Sequence, residues 1–346
     1  MKTIFGWTLF GGRPGGKSSS ANFLSFEKLE ASVERFWEQE SYATTSKLSP
    51  ALMTKEEKRA LDLLKEGTKL VEGRWEIAML WRDEKVNLEN NRFLAEKRLA
   101  STEKRLEKFP EIKEIYHAKI KEYLTLGHVK KLTDGEARMV SNKTNYIPHH
   151  FVLEPKKPGK IRIVFDASSK FNGSSLNDNL LPGPNLLNNL VAVLSRFRRG
   201  KIAVISDIEK MYHQVLVPEE DQDSLRFLWR DEPSDPITEY KMLVHLFGKI
   251  DSPCCANWAL RSCATDLDGI PQVPAFEDLT EKNKERVTEA VTEEFYMDDF
   301  LSSFDGVDEA KETCRNLKDV VGGRHFRLTK WLSNDPQFLE SMAEED

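Results

Sequence analysis

Phe295-Tyr296-Met297-Asp298-Asp299-Phe300 places two adjacent carboxylates between apolar runs: Val291 and Phe295 precede them, and Phe300, Leu301 and Phe304 follow. The pattern predicts strand, two-residue turn, strand. Neighbouring carboxylates repel, so a fold that presents them side by side has a cation to set between or above them. Hydrated magnesium suits that role, because it takes oxygen ligands from one or two carboxylates and from substrate phosphates. A solvated acidic turn is the plain alternative. What separates the two is whether the rest of the chain supplies partners for such a cation.

Upstream, Lys201-Ile202-Ala203-Val204-Ile205-Ser206-Asp207 reads as an apolar strand that delivers one aspartate at its end, with Tyr212 five residues later. A strand terminus is a rigid support for a metal ligand, although Asp also ends many strands simply as a turn residue. Lys156-Lys157-Pro158-Gly159-Lys160 predicts a hairpin turn carrying three cations. Ile161 to Asp166 returns as a strand and brings Arg162 near those lysines. Such a cluster can hold a triphosphate through charge-assisted, bidentate contacts. Residues 172–189 predict a long Asn-, Gly- and Pro-rich loop leading into a helix over 186–198. Residues 225–229 and 240–246 predict a strand pair around an acidic loop. Phe247-Gly248 then precedes Ser252-Pro253, which opens a helix through Cys263. Helices are expected over 277–293 and 308–321, a strand or turn over 326–331, and a charged tail after that.

The 346 residues are 39% hydrophobic and 31% charged, enough for two or three domains with a sizeable core. A formal charge of −6 argues against a general polyanion binder, yet from Pro155 to Lys201 nine Lys or Arg stand against two acids, Asp166 and Asp178. A basic band of that kind can follow a nucleic-acid backbone or a triphosphate. The four cysteines lack CxxC spacing and two are adjacent, Cys254 and Cys255. That disfavours a zinc site or a disulfide framework and fits reduced thiols in a cytosolic or nuclear setting. No apolar run approaches transmembrane length, and MKTIFGWTLF is too short and glycine-bounded for a signal peptide.

Nearer the N-terminus, residues 3–10 predict a short strand. Gly11-Gly12-Arg13-Pro14-Gly15-Gly16-Lys17-Ser18 formally matches the phosphate-binding pattern G-x-x-x-x-G-K-[ST], with residues 21–39 as the helix it would need. Pro14 and the glycines equally describe a linker. Thr54 with Glu57 forms a capping box ahead of the apolar face Ala60, Leu61 and Leu64. Trp75, Ile77, Met79 and Trp81 alternate as in a strand. A charged helix is expected over 87–108, interrupted by Pro110, and a second presents Ile112, Ile115, Tyr116, Ile120, Tyr123 and Leu124 on one face. His149 and His150 are neighbours on a strand, so they point to opposite faces and do not share a metal.

Five of these stretches, in order, resemble the fingers and palm of retroelement reverse transcriptases, most closely the BEL/Pao group of retrotransposons: YIPHHFVLEPKKPGKIRIVFDAS, SSLNDNLLPGPNLL, ISDIEKMYHQV, HLFGKIDSPCCANWALR and EEFYMDDFLSSF. The resemblance runs from about Tyr146 to Asn334, and Tyr296-Met297-Asp298-Asp299 is similar to the YMDD-type active-site box. Residues 49–132 also resemble the segment before the polymerase in that group, and MKTIFGWTLFGG the tail of its protease-like region. The resemblance implies an α+β fold: right-hand polymerase fingers and palm with an antiparallel palm sheet over 146–346. A linker-like remnant (1–48) and a mostly helical region (49–145) would precede it.

The implied activity is RNA-directed DNA polymerisation, two-metal transfer of deoxynucleotides onto a primer 3′-hydroxyl. Asp207, Asp298 and Asp299 would be the catalytic and metal-binding residues, for two magnesium ions or for manganese. Lys157 and Arg162 would contact the incoming triphosphate, and Tyr212 would pack under the sugar and exclude a 2′-hydroxyl. Phe247 and Gly248 would line the nucleotide and template, with Ile208 and Met297 also at the nucleotide and Lys330 near the leaving pyrophosphate. Implied partners are an RNA or DNA template–primer, deoxynucleoside triphosphates and other parts of the retroelement polyprotein, with no membrane. The implied location is the cytoplasm, a virus-like particle or the nucleus. Lys249 and Asp251 stand where the group has small residues. Nothing after the palm resembles a thumb, RNase H or integrase, so a polyprotein fragment is expected. The alternative function is an inactive remnant that at most binds nucleic acid.

Overall fold

In the computed structural model, residues 53–153 and 160–343 are described, together with the backbone of two short antiparallel strands, Lys2–Thr3 (β1) and Gly6–Trp7 (β2). The chain divides into two compact units, Met1–Ser46 and Lys47–Asp346, and of the first only β1 and β2 are described. The glycine-rich stretch with Lys17, the helix expected over 21–39 and the lysine turn with Lys157 lie outside the described residues.

In the second unit the first helix, α1 (Lys55–Gly67), starts where the capping box places it. The Thr54 hydroxyl accepts from the Glu57 amide at 3.2 Å, and the Glu57 carboxylate accepts from the Thr54 amide at 2.8 Å. Strands β3 (Thr68–Val71) and β4 (Arg74–Ile77) then form a hairpin. Its two turn residues, Glu72 and Gly73, both have positive φ (51° and 81°), the conformation that matches strand twist. Next come α2 (Arg92–Leu106) and α3 (Pro110–Thr125). Pro110 opens α3, because at the first helical position its missing N–H costs no hydrogen bond.

Strand β5 (Val129–Lys131) and the short α4 (Asp134–Arg138) follow, then the hairpin of β6 (His149–Leu153) and β7 (Ile161–Phe165). Helix α5 (Leu190–Phe197) is capped by Asn189, whose side chain accepts from the Ala192 amide at 3.0 Å. Then come β8 (Ile202–Ile208), α6 (Glu219–Gln222), β9 (Arg226–Trp229) and β10 (Thr238–Met242). Helices α7 (Ser252–Arg261), α8 (Pro274–Glu277) and α9 (Glu281–Glu293) lead to β11 (Phe295–Tyr296) and β12 (Asp299–Phe304). The second unit closes with α10 (Val307–Gly322), β13 (Leu328–Ser333) and α11 (Pro336–Ala343).

The fold is mixed helix and sheet with antiparallel sheets. One sheet has the order β11-β12-β8-β13, and another the order β5-β10-β9. In the first, period-2 alternation separates two faces. Val204, Ser206 and Ile208 share one face with Phe300, Ser302 and Phe304, and all six are buried. Val287 and Val291 of α9 and Leu317 and Val321 of α10 join that core. The opposite face carries Ile205, Asp207, Leu301 and Asp299. A second core is aromatic, with Tyr116, Phe151, Phe165, Phe227 and Trp229. Residues before and after position 146 share both cores: Leu64 and Trp75 lie in the first, Leu99 and Tyr116 in the second.

The expected charged tail is instead a helix, α11, with Phe338 and Met342 buried in the first core. Asp335 caps it by accepting from the Phe338 amide at 2.9 Å, and Pro336 begins it. The cap and the Phe338/Met342 spacing were readable; the surrounding acids masked them.

Arg226 is the centre of a buried ionic network. Its guanidinium meets Asp223 at 2.9 Å and Glu239 at 3.2 Å and donates to the Met139 carbonyl at 2.7 Å. Glu239 also accepts from the Tyr146 hydroxyl at 2.8 Å and pairs with Arg92. Removing one member of such a network leaves an uncompensated buried charge. Arg226→Met is therefore expected to cost about 3–5 kcal/mol in urea unfolding. Arg226→Met combined with Glu239→Gln should recover part of that loss.

Candidate active site

The three aspartates singled out from the sequence are brought together by strand register. Asp207, the penultimate residue of β8, lies directly opposite Asp299, the first residue of β12. The Ile208 amide donates to the Asp298 carbonyl at 2.8 Å, which ties the end of β8 to the turn. That turn is Met297-Asp298, closed by the Tyr296–Asp299 pair. Met297 has φ +57°, the left-handed region that a side chain enters at a cost, and its side chain packs against the first core.

Electrostatics in the cluster are those of repelling carboxylates. Burial raises the pKa of Asp298, and the charge of Asp207 adds to the rise, while Lys330 and Arg162 oppose it. Asp299 is raised first by burial and then by Asp298 and Asp207, with Lys330 opposing. The Lys330 ammonium sits 2.6 Å from Asp207 Oδ1. A bulge in β13 delivers it there: the β8 pairing skips from Thr329 to Leu332, and Lys330 itself has φ +58°. Ser206 and Thr329 pin the bulge, with the Ser206 hydroxyl donating to the Thr329 carbonyl at 3.0 Å.

Beside the carboxylates lies an aromatic pair. Tyr212 is buried, and its ring centroid is 4.6 Å from that of Phe247, which is 65% exposed. Burial, then the nearby charge of Asp298, pushes the Tyr212 hydroxyl up to about 12, so it stays protonated at neutral pH. Gly248 has φ +104°, and a Cβ there would lie 2.2 Å from the Phe165 carbonyl oxygen, so only glycine fits. Asn177 holds the same loop, donating to the Gly248 carbonyl at 2.9 Å and accepting from the Ile250 amide at 3.0 Å. Nothing in the sequence singled out Asn177; only its place in an Asn-rich loop signalled turn chemistry.

Of the remaining expected site residues, Arg162 lies on β7 and acts on Asp298 through its charge, and Ile208 is buried in the first core. Lys157 lies outside the described residues. His149 is buried while His150 is only half-buried, as alternation along β6 requires. The His149 imidazole donates from Nε2 to the Leu228 carbonyl at 2.8 Å and accepts from the Tyr116 hydroxyl at Nδ1.

Lys249 and Asp251 are both fully buried and paired at 3.4 Å. Asp251 also accepts from the Leu80 amide at 3.3 Å. His245 donates from Nε2 to the Ile77 carbonyl at 3.0 Å, which leaves Nδ1 facing the Lys249 ammonium at 3.4 Å. Among the described residues, His245, Asp251 and Cys255 form the one group of three potential ligands whose atoms all lie within 4.8 Å of one another, and it could hold a metal ion. The Lys249 ammonium already lies against two of the three.

No family model and no curated protein matches this chain. Among the described residues no helix is long and apolar enough to cross a membrane.

The raised carboxyl pKa values have a consequence for stability. A carboxyl group raised on folding holds its proton more tightly in the folded state, so folding loses stability as pH rises through the window above the ordinary value of 3.8. Asp298→Asn, without added divalent ion, is expected to melt about 1–3 °C higher than the parent at pH 7. The gap should shrink as pH falls toward about 4. A lower melting temperature for Asp298→Asn at pH 7 would contradict the repulsion.

Proposed function

We propose that this chain is the fingers and palm of a BEL/Pao-type reverse transcriptase, an RNA-directed DNA polymerase that adds deoxynucleotides to a primer 3′-hydroxyl. The observation that carries the reading is the register pairing of Asp207 with Asp299, with Asp298 on the adjoining turn. It gathers two carboxylates of the YMDD-type box with a third from a distant strand.

An all-oxygen donor set fits hard divalent ions, magnesium or manganese, better than zinc. Two such ions, when bound, would supply the positive charge that stabilises the entering and leaving oxygens of phosphoryl transfer. Asp207, Asp298 and Asp299 would hold them. Lys330 compensates part of the carboxylate charge and would follow the departing pyrophosphate, and Arg162, with Lys157, would neutralise the triphosphate. Tyr212 stays protonated beside Asp298 and presents a bulky ring where a 2′-hydroxyl would need room. Phe247 covers that ring and gives the sugar and base an apolar wall, and Gly248 lets the loop approach the β7 end closely.

Primer extension on an RNA template with magnesium tests the reading. Asp207→Asn is expected to lower the rate on the order of 10³-fold, because several kcal/mol of charge stabilisation depend on the ions it would hold. A folded protein that incorporates no nucleotide would sink the polymerase reading in favour of an inactive remnant. In an active enzyme, Tyr212→Ala should reduce discrimination against ribonucleotides by about 10–200-fold while deoxynucleotide incorporation persists.

A further inference from the structure

The segment that follows Asp207 makes few bonds of its own. The His213 amide donates to the Lys210 carbonyl at 2.8 Å, the Val215 amide to the Tyr212 carbonyl at 3.2 Å, and the Gln214 side chain to the Glu209 carbonyl at 2.9 Å. Lys210 has φ +49°, so the turn that carries Tyr212 begins from a strained residue. Later residues hold its two ends, the Glu209 amide donating to the Arg327 carbonyl and the His245 amide to the Val215 carbonyl, both at 2.9 Å, and the turn between them is held from earlier in the chain. The Arg74 guanidinium of β4 donates to the His213 carbonyl at 2.8 Å and to the Gln214 carbonyl at 3.4 Å. Immediately after the turn, the Leu216 amide donates to the Trp75 carbonyl at 2.8 Å, and the Ile77 amide to the Leu216 carbonyl at 3.0 Å. From α3, Glu122 pairs with the Lys210 ammonium at 2.8 Å, and Tyr123 meets the His213 ring edge-on with centroids 5.4 Å apart. Tyr212, on the same turn, faces Phe247 and Asp298.

We infer that Arg74 and Glu122 are positioning residues, which hold the Met211–Gln214 turn so that the Tyr212 ring keeps its place beside the carboxylates. The turn presents two consecutive carbonyls, of His213 and Gln214, and one planar guanidinium donates to both. Methionine keeps the apolar stem of Arg74 and removes every donor. Glu122 contributes less, because Lys210 retains Glu209 at 3.2 Å when Glu122 is neutralised. The hairpin β3–β4 and helix α3 thereby become part of the site's support. Only the role given to Tyr212 in sugar choice rests on the proposed function; the holding of the turn does not.

Two measurements on the full chain test this. In amide hydrogen exchange, Arg74→Met should speed exchange of the peptide spanning 209–216 by about 10- to 100-fold, the loss of charge-assisted bonds to two carbonyls. Peptides from β8 (202–207) and β12 should keep the parental rate. Arg74→Lys, which can reach one carbonyl, should fall between, and Glu122→Gln should have a smaller effect than Arg74→Met. In primer extension, Arg74→Met should raise the KM for deoxynucleotides and weaken discrimination against ribonucleotides, with kcat less affected. Unchanged exchange over 209–216, or acceleration spread equally over β8, overturns the inference whether or not the parent protein polymerises. Local acceleration with unchanged sugar discrimination in an active enzyme overturns the link to Tyr212. A parent protein without incorporation refutes the polymerase reading instead, and the exchange result still decides the role of Arg74.

Discussion

Everything at the candidate site depends on the register between β8 and β12. Side chains along a strand alternate faces, so a slip of one residue would turn Asp207 into the core and bring Ser206 to the site. The buried half of each strand prevents that slip. Val204, Ser206 and Ile208 on β8, and Phe300, Ser302 and Phe304 on β12, share one packed face, and a one-residue slip of either strand would turn its three away from that face. The core that α9 and α10 build under the sheet therefore sets the carboxylate geometry above it.

Holding like charges together is unfavourable, and the fold offsets the cost in identifiable ways. Lys330 reaches Asp207 from a bulge in the neighbouring strand, and Arg162 contributes its charge to Asp298 from a separate hairpin. Burial, and after it the residual repulsion, raises the carboxyl pKa values of Asp298 and Asp299. The strained backbone at Met297, Lys330 and Lys210 surrounds the same carboxylates. Strain and perturbed acids cluster in one place, as they do at functional sites.

The loop carrying Phe247 and Gly248 shows a different use of charge. Lys249 and Asp251 form a buried pair beneath it, and His245 accepts at Nδ1 from the Lys249 ammonium. Burial pushes the His245 imidazole down to about 4, so at neutral pH it is an uncharged partner for the lysine. A buried pair of this type adds little net stability, but removing one partner is costly. The loop is thus held to one position beside Tyr212, where Asn177 bridges its backbone from the other side.

Local patterns in the sequence determined a large part of this protein: the Thr54 cap and its helix, the β8 strand ending in Asp207, the tight turn at the aspartate pair, which falls one residue earlier at Met297-Asp298, and the opposite facing of His149 and His150. Each depends on residues within one element's reach, where spacing and turn chemistry are decisive. Lys249 read only as a departure from a family pattern and the C-terminal stretch as a charged tail, and no pattern pointed to Arg74. Their roles depend on which surfaces meet: Arg74 finds its carbonyls at residues 213 and 214, Lys249 is buried against Asp251 and His245, and Phe338 enters a core assembled from α1 to β13. A charged side chain has the same chemistry anywhere along a chain; only the burial and partners that tertiary contact imposes make one a solvated surface group and another the support of a site.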